Sequence, residues 1–276
     1  MAAAPAVKVM TDSLSNARDA GRLCSLAAGT ILDVDPTDAP RVAAAAGWPA
    51  VGIWFDAATW TDRTSALVAR SLHEHGVIAL DMEPVIVGAD GDCGDALVEA
   101  AIAVGARHVL MASRVPATPA LVDRFGALCD RAAAGNVGVV LEFLPIFGLR
   151  TLDDALDVVR AAARPNGGVL VDTLHLARSG STPDDLRALD PGLLPYLQLA
   201  DAPREAPADG ISGLLHEALH GRLLPGEGEL PLLDVLRAVP DVAVSVELRS
   251  EALRLAYPEP VDRARAVLRA TRAVLA

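Results

Sequence analysis

Aromatic residues are scarce: three Trp, two Tyr and four Phe make up 3% of the 276 residues. With 52% of the chain hydrophobic, a sizeable core must be assembled from Ala, Val and Leu. Basic residues are also in the minority, 24 Lys and Arg against 36 Asp and Glu, for a formal charge of −12. A face that neutralises phosphates is not available from such a balance, which argues against nucleic acid and anionic membrane surfaces as partners. Cysteine is limited to Cys24, Cys93 and Cys129, with no C-x-x-C pair. Neither a disulfide framework nor a zinc–thiolate site is suggested, and a reducing cytoplasm is the expected location. The opening MAAAPAVKVM lacks the basic region of a signal peptide, and no apolar run reaches the roughly 18 residues of a spanning helix.

What the chain does have is alternation. Strand-like apolar runs occur at 24–31, 50–55, 77–83, 107–112, 137–143, 168–173, 196–200 and 242–248, each followed by helix-like sequence. Continuous apolar runs suit strands buried on both faces. Thr61 and Asp62 open a helix that Gly76 ends, and Thr151 with Asp154 forms a capping-box pattern. Pro183 and Pro258 begin two more helices, as proline does at low cost in a first turn. Eight strands and eight helices in strict alternation predict an α/β fold, a (β/α)8 TIM barrel, over 23–276. Residues 1–22 form a tail or closing segment. The alternative, an open doubly wound sheet, lacks its usual G-x-G-x-x-G turn after the first strand. The 201–228 stretch is long for a loop, and long loops on that side of a barrel carry chemistry.

Polar residues fall at the ends of consecutive strands: Glu142, Asp172, Gln198 with Asp201 just beyond, and Glu247. Any one of them alone reads as a solvated or Arg-paired group, and His175 alone as a loop histidine bonded to backbone. Together they place three carboxylates on neighbouring barrel strands, where burial and mutual repulsion call for a cation. Oxygen ligands of this kind suit Mn2+, Mg2+ or Co2+ better than a structural zinc. Mn2+ is the expected ion, with Mg2+, Co2+ and Zn2+ as alternatives.

The set Glu142, VDTLH, LQLAD, RLLPGEG and SVEL resembles the sugar phosphate isomerase/epimerase superfamily of xylose isomerase-like TIM barrels. The resemblance spans about 23–275 and is concentrated in 137–250. It implies metal ligation by Glu142, Asp172, Gln198 and Glu247, and substrate contacts from His175 and Arg222. Epimerases of the superfamily usually carry histidine where Gln198 stands. The 3-dehydroshikimate dehydratases carry glutamine there, within a similar QLADAP, although the first third of this chain lacks the motifs of that enzyme.

A metal chelating a carbonyl and the neighbouring hydroxyl acidifies the intervening C–H and stabilises the enediolate. Glu142 and Glu247, arriving from two sides, are the expected acid and base. The leading expectation is therefore a metal-dependent isomerase or epimerase of a sugar-like or cyclic polyhydroxy carbonyl compound. A dehydratase (lyase) of 3-dehydroshikimate type and a non-catalytic scaffold are the alternatives. A small molecule is the expected partner, with pairing of copies through exposed alanines left open. For Arg222 the bland alternative is an ion pair with Glu227 or Glu229, and Asp201 is expected to orient a ligand. HEALH at 216–220 satisfies H-E-x-x-H literally. We read it as a short turn inside a barrel loop, with no downstream ligand.

Overall fold

The computed structural model describes Arg18–Asp19 and residues 21–276. Most of the expected tail, residues 1–17 and 20, lies outside the described residues. Eight parallel strands close into a barrel: β1 (Arg22–Leu26), β2 (Ala50–Trp54), β3 (Ile78–Val87), β4 (His108–Ser113), β5 (Gly138–Glu142), β6 (Gly167–Asp172), β7 (Tyr196–Leu199) and β8 (Ala243–Val246). Closure is made by β1 against β8, with Cys24 opposite Val244. A two-residue strand, Arg18–Asp19, pairs antiparallel with the start of β1.

Strict one-to-one alternation holds for the first five units only. Each is followed by a single α-helix: α1 (Ala39–Ala46), α2 (Asp62–His75), α3 (Gly94–Val104), α4 (Pro119–Ala133) and α5 (Leu152–Ala162). The last three strands are each followed by two. These are α6 (Thr173–Ser179) with α7 (Pro183–Arg187), α8 (Gly210–His220) with α9 (Leu232–Ala238), and α10 (Glu251–Ala256) with α11 (Pro260–Leu275). The expected eight helices are thus eleven among the described residues. The expected first strand is also corrected: it ends at Leu26, and Ala28–Ile31 form a 3-10 turn. The last helix begins at Pro260 rather than Pro258, with Glu259 as its cap.

Start signals act as read. Thr61 accepts from the Thr64 N–H and Thr151 from the Asp154 N–H, in reciprocal capping boxes, and Gly76 closes α2 with φ 64°. The main core lies between the strands and the helices. A separate layer fills the barrel interior: Ala50, Leu80, Leu110, Val140, Leu170 and Tyr196. With so few aromatics, Tyr196 supplies much of the bulk that plugs this layer. No helix among the described residues is long and apolar enough to cross a membrane.

Candidate metal centre and active site

Side chains alternate along a strand, so two residues beyond the interior layer the chain again points inward. From Val140, Leu170 and Tyr196 that step reaches Glu142, Asp172 and Gln198, at the C-terminal mouth of the barrel. Glu247 lies one residue past β8. Asp172 is also the N-cap of α6: its Oδ1 accepts from the N–H groups of Leu174 (2.7 Å) and His175 (3.2 Å). That turn brings His175 to the carboxylates, with Nε2 3.9 Å from Glu142 Oε1. One donor atom each from Glu142, Asp172 and His175 lies within 4.8 Å of the others, and all three residues are buried. His175, expected as a substrate contact, therefore stands among the candidate ligands.

Arg222 joins the fourth group. Its Nη1 donates to Asp172 Oδ2 (2.5 Å) and lies 3.2 Å from Glu247 Oε2, while Nε donates to the Ala218 carbonyl (3.0 Å). It is not paired with Glu227 or Glu229. Glu247 packs so closely over the β1 loop that a Cβ on Gly29 would collide with its carboxylate. Gln198 stands opposite Asp172 in register, but its Nε2 is directed to Glu83 Oε2 at 3.5 Å.

Glu83 and its neighbour Asp81 were not singled out in the sequence. Val51 pairs with Ala79 and Gly52 with Asp81, so Leu80 is an extra residue in β3. This bulge resets the alternation and turns Asp81 and Glu83 inward with Leu80. Asp81 Oδ2 accepts from the Tyr196 hydroxyl at 2.8 Å. Two acids at i and i+2 in an apolar strand were the available signal, because that spacing puts both on one face.

Burial dominates the electrostatics. It raises Glu142 well above the ordinary carboxylate range, helped by repulsion from Asp172 and Glu247. Burial likewise raises Glu83 well above that range and Asp81 to about 6. For Asp172 burial works upward but is outweighed by Arg222 and His175, which leave it lowered. Burial depresses His175 to about 4, so its ring is neutral and can offer a lone pair.

The carboxylates open into a cavity of about 350 Å³ whose lining includes Glu83, Glu142, His175, Arg222, Glu247 and Arg249. A wider groove of about 730 Å³ adjoins it along the segment after β8, but it touches none of the clustered carboxylates. Two expectations nearby are corrected. HEALH is not a turn: it ends helix α8, with the His216 and His220 rings 5.4 Å apart. Glu217 is committed to Arg178 through contacts of 2.7 and 2.8 Å, so it is no free base. Asp201 does not orient a ligand but holds a loop. Its carboxylate accepts from the N–H groups of Gly226 (2.9 Å), Gly228 (3.0 Å) and Leu230 (3.1 Å). Gly228 has no room for a side chain there, since a Cβ would meet Asp201 and the Ala202 backbone.

The donor set fits a divalent cation on its own terms. Buried acceptor atoms Glu83 Oε1, Asp81 Oδ1 and Gln198 Oε1 have no hydrogen-bond partner, and such atoms are costly to bury unpaired. A cation among clustered carboxylates also removes the repulsion that raises Glu142.

A closed eight-stranded barrel with its acidic residues gathered at the C-terminal mouth defines an α/β barrel of the enzyme-bearing kind. The model of the xylose isomerase-like TIM barrel family matches residues 40–273, and the chain belongs to that family. Inosose isomerase of Bacillus velezensis is 31% identical over 145 residues, 50% of this chain and 49% of that protein. The 3-dehydroshikimate dehydratase of Pseudomonas aeruginosa is 31% identical over 143 residues, 49% of this chain and 22% of that protein. The matches thus span about half the length of the inosose isomerases, and less of the dehydratase. Among solved structures, an IOLI protein with a bound zinc atom superposes with a TM-score of 0.77 at 18% identity, covering 91% of this chain and 97% of that one. D-Psicose 3-epimerase from Clostridium cellulolyticum gives 0.67 at 15%, covering 91% and 99%. At these identities the structures speak for the fold.

Proposed function

We propose that the chain is a divalent-metal-dependent isomerase or epimerase that removes a proton next to a carbonyl in a small polyhydroxy substrate. The observation that carries this reading is the convergence of Glu142, Asp172 and His175 within 4.8 Å at the barrel mouth. Glu142, Asp172 and His175 would hold the ion, with Glu247 and Gln198 as the further ligands read from the sequence. When bound, a divalent cation supplies the charge that steadies the oxyanion of an enediolate. Mn2+ is the ion this oxygen-rich set favours.

Glu142 and Glu247 reach the cavity from β5 and from the end of β8, so one takes the proton and the other returns it from a different side. Return to the same carbon from the opposite face is epimerisation; return to the neighbouring carbon is isomerisation. Arg222 holds Asp172 and Glu247 in place and offers its remaining N–H groups to substrate oxygens. Imine chemistry is not part of this reading. The chain contains one lysine, Lys8, outside the described residues, so no described residue offers an amine for a Schiff base.

A second reading, dehydration, is favoured by Glu83. Burial, with repulsion from Asp81, Glu247 and Glu142, raises this cavity-lining carboxyl well above the ordinary carboxylate range, and a carboxyl in its neutral form can give its proton to a departing hydroxyl. The match to a 3-dehydroshikimate dehydratase supports the same alternative.

The test is metal content and proton exchange together. Protein soaked in Mn2+ and desalted should retain one equivalent by mass spectrometry. It should also exchange deuterium from solvent into an inosose, a ketose or 3-dehydroshikimate. Glu142→Gln should slow that exchange by about 10²–10⁴-fold, the usual worth of a positioned acid or base, with an unchanged circular dichroism spectrum. A wild type that retains no metal, or a variant that exchanges as fast, would sink the proposal.

A further inference from the structure

The lining of the cavity divides into a charged floor and an apolar wall. Glu83, Glu142, His175, Arg222 and Glu247 form the floor. Above them stand Ile86, Leu144, Ile146, Leu215 and Leu219, and no serine, threonine, tyrosine, asparagine or glutamine is among the lining residues described. A ring that carries hydroxyls all round needs such neutral partners, because each hydroxyl buried without one costs free energy. Apart from the Trp54 indole N–H, this wall does not provide them. It suits a substrate whose oxygens gather on one edge and whose body is apolar.

Three arginines line the same cavity, and they differ in how far they are committed. Arg222 is bonded to Asp172 and lies against Glu247. Arg249 lies over the Trp54 ring at 5.5 Å and stabilises the charged forms of Glu83 and Glu142. Arg114, at the end of β4, lies over the Phe147 ring with its guanidinium carbon 5.6 Å from the centroid. The backbone N–H of Arg114 donates to the Val87 carbonyl (2.9 Å), and its side chain makes no hydrogen bond or ion pair to any described residue. An aromatic shelf holds a guanidinium flat while leaving its N–H edge free, the geometry that reads a carboxylate through two parallel hydrogen bonds. In a chain with only four phenylalanines, one of them is used as this shelf.

We infer that Arg114, held on Phe147, is the specificity-determining residue for a carboxylate on the substrate. The substrate class is a small hydroxyketone acid with its keto and hydroxyl oxygens on one edge, rather than a neutral polyol. The inference rests on the proposed metal-dependent reading of the same cavity, and it adds what the substrate carries at its far end.

Calorimetry on the Mn2+-loaded protein tests it with three ring ketones: 3-dehydroshikimate, its methyl ester, and an inosose. The acid should bind at least tenfold tighter than the ester or the inosose. Arg114→Gln should reduce the acid-to-ester ratio by about 10- to 100-fold, the range for one charge-assisted pair. Arg114→Lys should restore part of the ratio, and Phe147→Leu should lower it while leaving the charge in place. Equal binding of acid and ester, tighter binding of the inosose, or a ratio indifferent to Arg114→Gln would each overturn the inference. The two proposals fail separately. An Arg114-dependent ratio without deuterium exchange defeats the reaction and leaves the recognition standing. Exchange confined to the neutral ketones does the reverse.

Discussion

The first five βα units and the last three are built differently. In the first five, each strand passes through a loop to one helix that covers the barrel. After β6, β7 and β8 an additional helix is inserted, and the first two insertions each fix a charged group. Helix α6 starts on Asp172 itself, which caps it. Helix α8 presents the Ala218 carbonyl to Arg222 and is fastened through Glu217 to Arg178. Helix α10 is capped by Ser250, the residue after Arg249. The early half contributes differently, through a bulge in β3 that turns two acids inward. The late half therefore positions groups with helix ends, and the early half with a strand irregularity in β3 and the regular alternation of β5 that delivers Glu142. The helix-based half holds its charges in hydrogen-bonded pairs, whereas the bulge leaves Glu83 and Asp81 with unpartnered oxygens.

That contrast is strongest at Arg222, which lies in the unit after β7 and links it to Asp172 and Glu247 of the other two late units. Arg222→Ala should strand Asp172 and Glu247 as unpaired buried carboxylates and cost about 3–5 kcal/mol in the metal-free protein. Urea unfolding checks this, and excess Mn2+ should recover part of the loss by taking the place of the lost cation. No recovery would mean that the late half does not bind the ion. A smaller effect is expected at the link between the halves. Tyr196→Phe removes the one hydroxyl bonded to Asp81 and should cost about 1–3 kcal/mol, the penalty for leaving a buried polar group without its partner. A change of less than a few tenths would show that Asp81 is held without Tyr196.

The smallest effect concerns protonation. Burial lowers His175 from 6.5 to about 4, so its ring stays neutral through the physiological range. The unfolded chain takes up that proton first as pH falls, so the stability supplied by the neutral ring is complete above about 6.5 and is lost as pH falls through about 4. Asp81, raised to about 6, works in the opposite direction. It takes its proton in the folded state first, which favours folding as pH falls through 6 toward 4. Ring-proton NMR of the metal-free protein should place the His175 midpoint near 4. A midpoint near 6.5 would mean that the site is wet.

The alternation, the capping signals and the acids at the ends of β5, β6 and β8 were all legible because they follow fixed periods. Glu142 and Asp172 each continue an inward row begun two residues earlier, and Thr151 with Asp154 is a local pattern needing no tertiary contact. Asp81 and Glu83 were hidden because the bulge at Leu80 breaks the period that would have announced them. His175 could be seen but not placed among ligands, since its position depends on the turn that Asp172 caps. The additional helices escape the sequence for other reasons: α6 and α10 have seven and six residues, too short for a helical period to stand out, and α8 carries Gly210 and Gly213 in its first turn, which read as loop. The resemblance presents Arg222 as a substrate contact, while its bonds to Asp172 and Glu247 arise from a chain excursion that sequence spacing does not constrain.

That excursion leaves the barrel at Asp201 and returns to it at Leu223, where the two backbones exchange hydrogen bonds of 3.2 and 2.8 Å. Asp201 also ties down the following turn through Gly226, Gly228 and Leu230. The enclosed segment is thus a cassette with a locked base, touching the machinery through Arg222 and the cavity-lining Leu215, Ala218 and Leu219. Divergence can rework the outward face of that cassette, where Ile211 is exposed, while the inherited charge centre stays where the clasp puts it.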